Sequence, residues 1–488
     1  EVVDGAFLFT FEGGLSQPLK EIDKQFKGLI KKAFNQGEFE GKEGQILLLH
    51  TQKLFPAERL ILAGLGKKEK FTLDKLRQAL ARCARKARGL KLSSVALPLF
   101  HIDGSGLEVK DVARATTEGI KLGLYRYLKY KTKKEDKKDK DPEKWTICLP
   151  EGVTKSDVHQ GIVEGEVLSE SVSFARDLIN APGNDVTPSK LTREAKNIAK
   201  KYKMKSVILD QVQMKKKGMG SLLSVAQGSD EKAYFIILEY WGTKKSVKPV
   251  ALVGKAVTFD SGGISLKPSL HMEEMKMDMS GGAAVLGLMR VLGELNPAIN
   301  VIAAIPATEN LPSGKATKPG DVVKSFSGQT IEVVNTDAEG RLILADALSY
   351  VNKTYKPKSI IDMATLTGAC IVALGTIVTG MMGNNKELLE KLRKAGEKTW
   401  ERVWELPLWE DYDDSIKSDV ADMKNVGNRT AGTIVGGIFL KRFVGETPWV
   451  HLDIAGTAWA EKESTYQSKG GTGVGVRLLW EYLQGECK

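Results

Sequence analysis

Short apolar runs alternate with amphipathic stretches along most of the 488-residue chain. ILLLH at 46–50 and RLILAGLG at 59–66 read as strands, followed by a helix that Thr72 is placed to cap. SSVALPLF at 93–100 is a further strand, a helix starts near Glu108, and the chain returns as a strand at 145–150. Residues 158–179 then read as one long helix that ends at the breaker NAPGND. A second series follows: helix 190–202, strands SVILD, AYFIILEYWG and ALVGKAV, helix 280–295, and strand NVIAAIPA. Beyond it come strand and helix within 331–351, strand SIIDMATL, helices 386–401 and 433–444, strand WVHLDIAG and a closing helix at 476–483. Such alternation predicts parallel sheets with crossover helices. The expected fold is therefore α/β with two domains. A smaller N-terminal α/β domain covers 1–155 and a linker helix covers 156–183. A larger C-terminal α/β domain covers 184–488, with a mixed, mostly parallel central sheet flanked by helices.

Composition changes this picture little. With 42% hydrophobic and 27% charged residues, the chain has the make-up of a soluble globular protein. A formal charge of +11 suits an acidic partner such as DNA, but on a chain of this length it is more often a solubility feature. Residues 129–144 hold eight lysines and five acidic residues, the pattern of a solvated hairpin tip or disordered loop rather than a nucleic-acid contact. Cys83, Cys148, Cys370 and Cys487 are far apart and form no CxxC pair, which fits reduced cytosolic thiols and a cytoplasmic protein. The opening EVVDGAFLFTFEGG has neither a basic n-region nor a sustained apolar h-region, so no secretory signal is expected there. Because residue 1 is not methionine, trimming or removal of a targeting segment stays open. The uncharged run 363–383 is long enough to span a bilayer, yet eight of its 21 residues are Thr or Gly. It reads as buried strand and loop, and no membrane span is expected.

Chemistry concentrates in two segments. In IEVVNTDAEGRLILADALSYV, residues 331–351, a short strand leads to Asp337 and Glu339, then Gly340, Arg341 and a helix that is apolar almost all round. Residues two apart in extended backbone project to one side, so both carboxylates can converge on one point. Helix capping by Asn335, Thr336 or Asp337, with Glu339 favoured by the helix dipole, is the competing reading. Upstream, VGKAVTFDSGGISLKPSLHMEEMKMDMSGGAAV carries Lys255, Asp260, Lys267 and Asp278 around turns at Gly262 and Gly263. Asp260, Asp278, Asp337 and Glu339 make an oxygen-rich set that suits hard or borderline divalent metals in pairs. Lys255 can join it only as a neutral amine, which burial beside cations favours. No HExxH is present, the five histidines are scattered, and GxxxxGK[ST] is absent. KGGTGVGV near the C-terminus reads as a tight turn rather than a nucleotide site, and Cys370 as a packed core thiol.

NTDAEGRL resembles the signature of the leucine aminopeptidase (cytosol aminopeptidase) family of metallopeptidases. GKAVTFDSGGISLKP, MKMDMSGGAAV, ENLPSGKATKPGD, ATLTGA, SDVADMKN and HLDIAG also resemble that family, in the expected order, across roughly the C-terminal two-thirds of the chain. Ala256 stands where the family usually has glycine. The resemblance implies a catalytic C-terminal domain that releases N-terminal, preferably leucine-like, residues from peptides. It implies Lys255, Asp260, Asp278, Asp337 and Glu339 as ligands of two divalent ions, Zn2+ or Mn2+, with Mg2+ or Co2+ as alternatives in the exchangeable site. Lys267 and Arg341 are implied as catalytic, Arg341 by holding a bicarbonate. Lys267, Asp278, Met275, Thr365, Gly368, Ala455 and Ala458 would line the substrate site. A homohexamer is implied as well, and a DNA-binding architectural or regulatory role on the same scaffold is the alternative function.

Overall fold

The computed structural model describes residues 2–100, 106–133 and 139–487. The loop expected at 129–144 thus falls in part, at 134–138, outside the described residues. By contacts the chain forms two compact units, Glu1–Glu170 with Lys462–Ser468, and Ser171–Glu461 with Lys469–Lys488.

In the first unit, β1 (Val3–Thr10) is followed by α1 (Gln17–Gln25), α2 (Leu29–Asn35), β2 (Ile46–His50) and β3 (Ala57–Gly64). Then come α3 (Leu73–Gly89), β4 (Ser94–Pro98), α4 (Val109–Leu124) and β5 (Lys144–Cys148). The sheet order is β2-β3-β1-β4-β5, with β2 antiparallel and the other pairs parallel. β3 shows why the sheet is covered on both faces. Leu60 and Leu62 pack with Phe26 and Ile30 of the α1–α2 region, whereas Ile61 and Ala63 pack with Leu76 and Leu80 of α3 and Ala113 of α4. Thr72 caps α3 as expected, its hydroxyl accepting from Lys75 N at 3.3 Å. The sequence pattern did not single out β1, the central strand, or the two helices after it.

α5 (Lys155–Asn180) contains the division between the two units. After it come α6 (Pro188–Lys201), β6 (Lys205–Leu209), α7 (Gln211–Lys217), α8 (Gly220–Ala226) and β7 (Tyr234–Trp241). The middle of the unit is β8 (Val250–Gly254), β9 (Ala256–Asp260), α9 (Ser280–Leu295), β10 (Asn300–Asn310), β11 (Asp321–Lys324), β12 (Thr330–Val333), α10 (Gly340–Tyr355) and β13 (Ser359–Ala364). Then follow α11 (Gly368–Leu374), β14 (Thr379–Gly383), α12 (Lys386–Thr399), β15 (Val403–Glu405), β16 (Met423–Lys424), α13 (Gly432–Lys441), β17 (Trp449–Asp453), β18 (Trp459–Ala460), β19 (Gly470–Gly471) and α14 (Val476–Glu486).

The large sheet runs β15-β14-β17-β13-β8-β10-β7-β6, with β9 also on β10. Its middle, β17-β13-β8-β10, is parallel, while β6, β7 and β14 bring antiparallel pairs, giving the mixed, mostly parallel sheet expected. α9 packs on β8, β10 and β13. On the other face Ala251 and Val253 of β8 meet the apolar sides of α8, α10 and α13. Residues 363–383 fold as the end of β13, α11 and β14, and no described helix is long and apolar enough to cross a membrane. ALVGKAV reads in sequence as one strand, but the structure divides it at Lys255. The Lys255 N–H donates to Met363 O at 3.0 Å, and its C=O accepts from Gly282 N at 2.8 Å.

Candidate functional site

The charged groups of the site stand at strand ends, in the segments that follow them, or at the start of the next helix, where open α/β sheets collect their sites. Asp260 ends β9, and its Oδ1 accepts from Gly262 N at 2.9 Å and Asn310 Nδ2 at 2.8 Å. Gly262 has φ +87°, and a Cβ there would lie 2.8 Å from Asp337 Oδ1, so this turn needs glycine twice over. Asp278 closes the 3-10 turns of Met272–Met279 just before α9. Asp337 lies in a turn beyond β12 rather than in extended backbone, with its N–H held by Asn335 Oδ1 at 2.9 Å. Convergence of Asp337 and Glu339 therefore comes from that turn and not from strand alternation.

The capping reading fails at this junction. Glu339 itself is the N-cap residue of α10, and no side chain caps the helix. Its carboxylate turns instead to Lys255, whose Nζ lies 2.8 Å from Glu339 Oε1, 2.7 Å from Asp278 Oδ2 and 2.8 Å from Thr365 O. Lys267 Nζ sits 2.8 Å from Asp260 Oδ2 and 2.5 Å from Asp337 Oδ1. Asp260, Asp337 and Glu339 each offer an oxygen within 4.8 Å of the others. Lys255, Asp260, Asp278 and Glu339 are buried, while Asp337 is partly open.

Electrostatics argue that this cluster is built for cations. Four carboxylates face two ammoniums, an excess of two negative charges when all are ionised. Burial, together with repulsion from Glu339 and Asp260, lifts the Asp278 carboxyl well above its usual range against the pull of Lys255. Burial and the Asp260 charge likewise raise Glu339 and Asp337. Burial works to lower Lys255 and Lys267, but the surrounding carboxylates outweigh it and hold both ammoniums above the ordinary lysine value. Glu339 Oε2 is buried and has no hydrogen-bond partner among the described residues, the kind of orphaned acceptor that a cation satisfies. An all-oxygen set with excess negative charge and a free buried acceptor fits divalent ions.

Arg341, in the first turn of α10, is buried and donates from Nη1 to Asn425 O at 2.7 Å, while its Nε has no partner among the described residues. Burial draws its pKa down to about 10, against the pull of Glu339 and Asp453. Of the expected substrate-lining residues, Thr365 is brought to Asp278, its hydroxyl donating to Oδ1 at 2.7 Å. Met275 lies half-buried in the 3-10 turns, Gly368 is exposed at the start of α11, and Ala455 and Ala458 are buried just after β17. β13 and β17 are parallel neighbours, so the loops carrying these residues leave the sheet side by side.

Sequence reasoning assigned no role to two asparagines. Asn310 joins Asp260 to Thr336, donating from Nδ2 to the Thr336 C=O at 3.1 Å. Asn425, fully buried, accepts from Val334 N at 2.9 Å and donates to Asn335 O at 2.7 Å, clamping the turn that carries Asp337. Both lie in segments that match the family pattern, ENLPSGKATKPGD and SDVADMKN, which was their one visible mark.

The cytosol aminopeptidase catalytic-domain model matches residues 173–480, and the N-terminal-domain model of the same family matches residues 7–134. The chain belongs to the cytosol aminopeptidase family. Members of this family are metal-dependent aminopeptidases. A probable cytosol aminopeptidase of Geotalea uraniireducens is 48% identical over 99% of this chain and 96% of its own. One of Geobacter sulfurreducens is 47% identical over 96% and 93%. Among solved structures, a mutant of tomato leucine aminopeptidase superposes with a TM-score of 0.88 at 36% identity, covering 99% of this chain and 94% of that one. The bottromycin maturation enzyme BotP in complex with Mn gives a TM-score of 0.88 at 30% identity, with both chains covered in full.

Proposed function

We propose that the protein is a leucine-preferring aminopeptidase that works with two divalent ions, Zn2+ or Mn2+, at the cluster of Lys255, Asp260, Asp278, Asp337 and Glu339. The observation that carries the reading is that cluster: four convergent carboxylates with excess negative charge and an orphaned Glu339 oxygen. When bound, a pair of divalent ions supplies Lewis acidity toward a peptide carbonyl and toward water. In this reading the buried Lys255, Asp260, Asp278 and Glu339 would hold the tighter ion, and Asp260 and Glu339 with the partly open Asp337 would hold the more exchangeable one. Lys255 would serve as a neutral amine, its ammonium proton released and the charge facing Asp278 and Glu339 supplied by the cation.

Lys267, still protonated, faces the space between Asp260 and Asp337 and would stabilise negative charge developing on the carbonyl oxygen, an effect worth about 3–4 kcal/mol in the barrier. Arg341 would hold a bicarbonate through its unpartnered Nε, which suits the planar grip of a guanidinium and supplies a general base. A free α-amine on the substrate would provide a further ligand, which would restrict cleavage to N-terminal residues. Met275, Thr365, Gly368, Ala455 and Ala458 form the first-residue pocket in this reading, in a homohexameric cytoplasmic enzyme.

The test compares a leucine amide carrying a free amine with its N-acetylated twin, before chelation, after it, and after zinc or manganese is restored. Cleavage confined to the free-amine substrate, lost with the metal and regained with it, is the expected result. A folded protein that cleaves neither substrate under any metal condition would sink the reading.

A further inference from the structure

We infer that Asp453 is a positioning residue that clamps the loop after β13 to the loop after β17 and thereby sets the enzyme's preference for the first side chain. The inference rests on the reading of Thr365, Gly368 and Ala455 as pocket walls. Asp453 ends β17 opposite Ala364 of β13 and is completely buried. Among the described residues no lysine, arginine or histidine forms a direct ion pair with it, although Arg341 and His451 feel its charge. A buried carboxylate with no direct ion pair is costly unless its oxygens are hydrogen-bonded.

All of its side-chain bonds go to the two loops. Oδ1 accepts from Leu366 N at 3.1 Å and from Ala455 N at 3.1 Å, so a single oxygen ties one loop backbone to the other. Oδ2 accepts from the Thr367 hydroxyl at 2.6 Å. Since a carboxylate only accepts, the Thr367 proton is committed to it, and the Thr433 hydroxyl at 3.1 Å must donate to Thr367. Thr367 Oγ1 also accepts from Cys370 N at 3.2 Å and so caps α11. One carboxylate therefore fixes the residue after Thr365, the residue before Gly368 and the backbone of Ala455. These are the points from which the pocket walls project, and nothing in the bonding of a β-strand end requires a charge there.

The experiment compares wild type, Asp453→Asn, Asp453→Ala and Thr367→Val, each loaded with metal. It measures kcat and KM on leucine and alanine amides, metal content, and hydrogen exchange in peptides from 365–370 and 454–458. An asparagine can keep every bond, its carbonyl serving Leu366 and Ala455 while its amide donates to Thr367, whose proton turns to Thr433. Asp453→Asn is expected to keep the leucine-over-alanine preference to within about threefold. Asp453→Ala should lose about tenfold in that preference, chiefly through KM for the leucine substrate, with metal content unchanged and faster exchange in both loops. Should that variant not fold, Thr367→Val, which loses one link of the clamp, is expected to shift preference and exchange the same way by less. Unchanged preference and exchange in the alanine variant, or in Thr367→Val if it must stand in, would overturn the inference. So would an asparagine variant as damaged as the alanine one. An inactive wild type would instead sink the aminopeptidase reading, with the exchange data still deciding whether Asp453 holds the loops together.

Discussion

Lys255 and Lys267 are chemically alike, and their surroundings give them different tasks. Lys255 is walled in by Asp278, Glu339 and the Thr365 carbonyl, whereas Lys267 reaches two carboxylates from a side chain that is 21% exposed. In the proposed reading that difference separates a ligand from an electrostatic catalyst, and substitution can tell them apart. Asp337→Ala should fold, fail to retain a full complement of metal through dialysis, and lose activity. Lys267→Ala should keep its metal and lose turnover by about 10²–10³. Metal analysis beside kcat checks both, and normal rates in both variants would show the site to be misassigned. The acidic and lysine residues were legible in the sequence because their chemistry is unusual at that density. Asn310, Asn425 and Asp453 were not, because an amide or a lone carboxylate takes its meaning from partners 50, 90 and 87 residues away.

Among the elements, α10 shows how a helix start can belong to the site rather than to the helix. Its first residue, Gly340, sits so close to Lys255 that a Cβ would lie 2.7 Å from Nζ and from Cε. Alanine is favoured over glycine within a helix by about 1 kcal/mol, so propensity alone predicts that Gly340→Ala stabilises the protein. The steric effect should win, because Lys255 is enclosed on its other sides and cannot yield without leaving Asp278 or Glu339. The expected outcome is a folded variant with reduced metal retention and activity; full activity with a higher melting temperature would mean that the Lys255 position is not critical. Elements with a clear apolar period were legible, and helix 280–295 matches α9 to the residue. α10 runs on to Tyr355, beyond the 351 read from its apolar face, because polar Asn352, Lys353 and Thr354 continue the hydrogen bonds after burial ends. The break at Lys255 was not foreseen: Gly254 is its one local sign, and the bonds to Met363 and Gly282 that define it come from distant segments.

For the whole molecule, metal content and pH should act together. Asp278, Glu339 and Asp337 have folded pKa values above their ordinary 3.8, 4.5 and 3.8. Their contribution to stability is present below those ordinary values and is lost as pH rises through the folded ones, so the metal-free protein weakens on going toward neutrality. Lys255 and Lys267, raised above 10.5, change only beyond that range. Bound cations favour the ionised carboxylates, and metal uptake releases protons. At a fixed metal concentration the rise in melting temperature on adding metal should therefore grow as pH climbs above the ordinary carboxylate values, and a site held at a hundredfold excess over its Kd gains about 2.7 kcal/mol. Asp346, raised by burial to about 7 despite bonds from Leu222 and Phe326, titrates in the same window with or without metal, and so cancels in the difference. A metal effect that is flat with pH would argue against the raised carboxylates. By itself the sequence determined the α/β class, the presence of two domains, the family and the seven charged residues worth watching, because periodicity and motif chemistry are properties of neighbours along the chain. Tertiary structure alone decided that Glu339 turns away from its helix to Lys255, that two asparagines hold the carboxylates in place, and that Asp453 joins two loops. Each of those depends on distance between segments, which short-range pattern does not encode.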